Sequence, residues 1–154
     1  MDYLVVKWMH VVSSTILFGT GLGSAFYMFA TTLRKDTAAI ANVTGLVVLA
    51  DWIFTTPAVI VQPLSGLYLM HLAGYSWTQH WLLASIVLYF FAGACWLPVV
   101  YLQIRMQKMA EHAHRSEGVL PPIFWRYFRY WVWLGIPAFL AVVVVFYLMV
   151  AKPI

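Results

Sequence analysis

WLLASIVLYFFAGACWLPVVYLQI, residues 81–104, contains no charged side chain. It is longer than the ~20 residues that cross the hydrocarbon core of a bilayer as a helix. Working outward, three more apolar stretches occupy residues 4–30, 42–71 and 124–151. Each is long enough to span. In lipid an unpaired backbone N–H or C=O is too costly to leave open, so all four are expected to be helices. The 154-residue chain is 64% hydrophobic and 9% charged, whereas soluble domains carry about 25% charged residues. Such a chain cannot clothe a water-facing surface. The first stretch is expected to be a span and not a cleaved signal, because it has no basic start, its apolar run is too long and no soluble domain follows it.

Lys and Arg fix the expected orientation. The first and third connections carry Arg34, Lys35, Arg105, Lys108, Arg115, Arg126 and Arg129, and the opposite side has Lys7 and Lys152, seven against two. Basic residues are retained in the cytoplasm, so both termini are expected on the periplasmic side of a bacterial cytoplasmic membrane. The net charge of +4 is then a topological signal and does not point to nucleic acid. Cys95 lies inside the third span and has no partner for an internal disulfide. The expected fold is all-α: one transmembrane domain over residues 1–154, an up-and-down four-helix bundle with short connections. The longest polar segment, 107–118, reads as the third connection and ends at Pro121-Pro122.

Helix 2 is the least regular span, with Pro57 and Pro63 among Thr55, Thr56, Gln62, Ser65 and Gly66. Each proline removes a backbone donor and bends the helix. The polar neighbours are expected to repair the freed carbonyls, with a binding role for Gln62 as the alternative. Pro137, near Gly135, is a third such position. Gly19 and Gly23 form a small-xxx-small pair that admits another helix or a flat ligand.

Three histidines, His10, His71 and His80, come to the outer side under this topology. His10 lies about 9 Å along helix 1 from Leu4. Lys7, Ser14, Leu17, Gly21 and Ser24 share its face. Haem iron in membrane bundles takes inward-facing imidazoles, with its propionates near cationic groups at the interface, a part Lys7 and Lys152 could fill. The alternative is that His10 is a neutral core histidine bonded to a hydroxyl or carbonyl, with Lys7 snorkelling outward. His71 and His80 border a polar turn, and His112 and His114 fall in the third connection. Asp51 is the one acid inside an apolar stretch, and a carboxylate there must pair or take up a proton. Arg105, Arg126 and Arg129 are candidate counter-ions, with Gln103 or Tyr130 as hydrogen-bond partners. A structural clamp and a proton relay both fit. Phosphate loops, zinc-type His/Cys spacings, nucleophile elbows and paired acidic motifs do not occur.

KWMH (7–10) before a glycine-rich helix, PAVIVQPLSGL (57–67), WTQHWLL (77–83) and the last helix from Ile136-Pro137 to Lys152-Pro153-Ile154 resemble the HemJ-type protoporphyrinogen oxidases. CWLPVVYLQIRM (95–106) is closer to an uncharacterised family of predicted integral membrane proteins. The wider resemblance reaches CopD-like four-helix membrane proteins. The HemJ-type resemblance implies haem b with a functional histidine in helix 1, matched by His10. It also implies a functional lysine at the start of helix 3, where this chain has Trp81, so the oxidase activity lacks one of its residues. The resulting expectation is a haem-b membrane protein of electron transfer or porphyrin handling, an oxidoreductase in class. His10 would be an axial ligand, His71 or His80 a second, and Lys7, Ser14 and Gly21 would border the cofactor. The alternatives are a non-catalytic subunit of a homo-oligomer or larger membrane complex, and a small transporter or proton pathway using Asp51 and Gln62.

Overall fold

The computed structural model describes residues 3–116 and 118–153. Helix α1 spans Tyr3–Leu33, α2 Thr37–Ala50, α3 Thr56–Ala73, α4 His80–Arg115 and α5 Pro122–Ala151, and a π-helical turn, Asp51–Thr55, joins α2 to α3 without a break. Four helices are thus long and apolar enough to cross a membrane: α1, the composite Thr37–Ala73, α4 and α5. The expected spans are all present, and each helix runs past its apolar stretch.

The turns explain where the helices stop. After α1, Lys35 adopts φ 59°. Asp36 then caps α2, its carboxylate accepting from the Ala39 N–H at 3.1 Å. At the end of α3, Gly74 takes φ 67°, and the Tyr75 N–H reaches back to the Met70 carbonyl at 3.1 Å. This left-handed closure satisfies the last carbonyls and favours glycine, which has no Cβ to clash. Pro122 opens α5 at a position where no intrahelical N–H is needed.

The expectation of a connection over 107–118 is corrected by α4, which remains helical to Arg115. Met106, Ala110 and Ala113 are buried at helical spacing in the main core, and Gln107 donates to Glu111 one turn on at 2.9 Å. The segment is polar on one face only. His112 and His114 therefore stand exposed on the last turns of a helix.

The two basic connections lie at the same end of the bundle, where the Thr37 hydroxyl donates to the Gly118 carbonyl at 2.6 Å. At the opposite end Lys152 Nζ donates to the Tyr75 hydroxyl at 2.7 Å and lies 5.7 Å from the Trp81 ring centroid. The main core, including Met28, Ile40, Met106, Phe124, Phe128 and Trp131, fills the half nearer the basic connections. Among the described residues, a smaller cluster of Met70, Trp81 and Leu82 lies in the other half.

That asymmetry shapes the molecule. α1 packs along α2 and α3, and α4 packs along α2 and α5, but α3 hardly approaches α4 and α1 hardly approaches α5. Long side chains bridge both gaps. Phe18 reaches Phe139 and Phe146, each at 5.3 Å between centroids, and Tyr89 extends from α4 to the α3 backbone. Aromatic side chains thus join the α1–α3 pair to the α4–α5 pair.

Candidate functional site

His10 lies in the α1–α3 seam. Its Nδ1 is 2.7 Å from Ser65 Oγ, and the same hydroxyl donates to the Val61 carbonyl at 2.7 Å, with a longer branch of 3.2 Å to Gln62. A serine hydroxyl has one proton. Both short contacts are hydrogen bonds only if Nδ1 carries the hydrogen and donates to Ser65. A neutral His10 ring then keeps its Nε2 lone pair free. Gln62 Nε2 donates to the His10 carbonyl at 2.9 Å, and the Ser13 hydroxyl reaches the Ala58 carbonyl at 3.3 Å. Gly66 allows this approach: a Cβ there would stand 3.2 Å from His10 Cε1.

Gln62 thus does not repair its own helix, as the spacing suggested. It crosses to α1 and holds His10. The carbonyl that Pro63 leaves without an i+4 donor is that of Val59, and it receives the Tyr89 hydroxyl at 2.5 Å.

The other residues expected around His10 are dispersed. His71 and His80 are exposed, at the last turn of α3 and the first residue of α4. Among the described residues no three His, Cys, Asp or Glu side chains form a metal-holding group. Lys7 is exposed, with Nζ 5.8 Å from the Tyr3 ring centroid. Ser14 donates to the Val11 carbonyl of its own helix at 2.7 Å. Gly21 stands about 16 Å further along α1 than His10, too deep to border a ring held there. Among the described residues nothing lies within 4 Å of a Cβ position at Gly19 or Gly23, so no close helix crossing between them uses these glycines.

Asp51 is the first residue of the π-turn and lies about 21 Å from the start of α2, near the middle of the composite span. It is 6% exposed. The expected arginine partners are elsewhere: Arg105, Arg126 and Arg129 are exposed, the last two lining a surface cleft with Tyr130 and Trp133. The Thr55 hydroxyl donates to the carboxylate at 2.8 Å. Gln103, from α4, is an expected partner that the fold does bring to Asp51: its amide donates to the carboxylate, while its Oε1 is buried without a partner. Sequence reasoning missed Thr55 in this role, although Asp-x-x-x-Thr at four-residue spacing is a readable signal.

Four long apolar helices, closed by buried polar contacts, define a multi-pass helical membrane protein. The chain belongs to the family described as "Predicted integral membrane protein (DUF2269)", which matches residues 4–153. No curated protein and no solved structure gives a significant match.

Proposed function

We propose that this is a haem-b-binding protein of the bacterial cytoplasmic membrane, acting in electron transfer or porphyrin handling, with His10 Nε2 as axial ligand. The observation that carries the reading is the His10–Ser65–Val61 hydrogen-bond chain. A histidine ligand needs one nitrogen unprotonated and the other donating to an acceptor that fixes the ring, and Ser65 provides that acceptor. Lys7, at the same end of α1, supplies a cation for a propionate. Haem, when bound, contributes one-electron exchange at iron.

A reduced-minus-oxidised absorption spectrum of detergent-purified protein tests this. Soret and α-bands that disappear in His10→Ala, with the variant still folded, are the expected result. Wild-type protein without haem after expression with ample haem supply overturns the reading. His71→Ala and His80→Ala identify a second ligand: conversion of a low-spin six-coordinate spectrum to a five-coordinate one assigns it, and an unchanged spectrum leaves His10 as sole protein ligand. With Trp81 at the lysine position, no rescue of a strain lacking protoporphyrinogen oxidase is expected.

A second reading, a non-catalytic subunit of a larger membrane complex or homo-oligomer, is favoured by Gly19 and Gly23, which present a small-residue face with open space around it. Cross-linking from Gly19→Cys in membranes tests it. A single defined adduct supports a fixed neighbour, and none counts against it.

A further inference from the structure

The Asp51 carboxylate is buried at mid-span, receives the Thr55 hydroxyl and has no cationic residue among the lining of its cavity. Beyond the Thr55 hydroxyl and the Gln103 amide, a carboxyl group buried at this depth must take up a proton or be joined by a positive charge. The adjoining cavity, about 220 Å³, is lined by Val48, Asp51, Trp52, Thr56, Trp96, Leu97, Val100 and Gln103. Gln103 is 5% exposed and its Oε1 has no hydrogen-bond partner. When ionised, Asp51 only accepts, and together with the unsatisfied Gln103 Oε1 it matches a ligand that only donates and brings a positive charge.

We propose that this cavity binds a small organic ammonium ion carried in the membrane. Three observations select it over a bare metal cation. The space is several times the ~30 Å³ share of one water, so a naked ion would leave most of it empty. Trp52 and Trp96 line the cavity, and tryptophan is the side chain that attracts an ammonium group best. Val48, Leu97 and Val100 provide apolar wall for the hydrocarbon body. Trp52 and Leu97 are 61% and 65% exposed, so the cavity borders the lipid-facing surface and a membrane-dissolved amine enters from the side. Asp51 and Trp52 open the π-helical turn, and such turns recur at functional sites. The site is separate from the His10 seam and stands whether or not haem binds.

Phenethylammonium is titrated into protein in nanodiscs, with tryptophan fluorescence as readout, empty nanodiscs as reference and phenethyl alcohol as neutral isostere. Binding of the ammonium at least tenfold tighter than the alcohol is expected, with the preference lost in Asp51→Asn and binding of both weakened in Leu97→Trp, which fills the cavity mouth without touching charge. If Asp51→Asn does not accumulate, Gln103→Leu replaces it, with a several-fold loss of the preference expected. Equal binding of the two probes, no saturable binding, or a preference that survives these variants overturns the proposal. An equal, Asp51-dependent response to sodium chloride alone also overturns it, in favour of a bare-cation site.

Discussion

The Tyr89 hydroxyl donates across the bundle to the Val59 carbonyl at 2.5 Å, the carbonyl for which Pro63 has no N–H to offer. Pro63, inside the second span, thereby creates the acceptor that ties the span to α4.

Tyr89→Phe should therefore destabilise the protein by about 1–3 kcal/mol, the cost of leaving a partly buried carbonyl unpaired. Pro63→Ala restores an N–H to the same carbonyl, so the double variant should lose less than the two single effects added together. Thermal unfolding in detergent measures the cycle. Strict additivity would show that the two residues do not share Val59.

Ser65→Ala removes the acceptor for His10 Nδ1 and should cost about 1 kcal/mol. Gly66→Ala places a methyl 3.2 Å from His10 Cε1 and should cost about as much by crowding the ring. Both should disturb any His10-dependent spectrum. Gly135→Ala, with nothing within 4 Å of its Cβ position, serves as control. An unchanged spectrum and melting point in both seam variants would separate His10 from its apparent support.

The charge asymmetry and the continuous α4 together predict a proteolysis pattern. In inside-out vesicles trypsin should cut after the exposed Arg115 at the end of α4 before it cuts at Arg105 or Lys108 within the helix. In intact spheroplasts that site should be protected and tags on both termini accessible. Termini protected in spheroplasts would invert the topology. Ala110→Leu, at a position with no exposure, should open Lys108 to early cutting by loosening α4 from its neighbours.

The four spans were legible because crossing a bilayer depends on local sums: apolar length, backbone satisfaction and charge at the flanks can all be counted along one strand of text. The clustering of the basic connections at one end was legible for the same reason, since four consecutive crossings alternate direction. The polar face of α4 beyond Ile104 hid its helical continuation, because Met106, Ala110 and Ala113 reveal a buried seam only once α2 and α5 supply the surface they cover.

By itself the sequence determined a four-span helical membrane protein and singled out His10, Gln62 and Asp51 as polar groups that lipid would not tolerate unpartnered. Only the tertiary structure decided their partners across the bundle: Ser65 for His10, the His10 carbonyl for Gln62, and Gln103 instead of an arginine for Asp51. The reason is geometric. A residue's depth follows from its position along one helix, whereas its partner depends on how several helices are rotated and offset against one another, and no single helix encodes that.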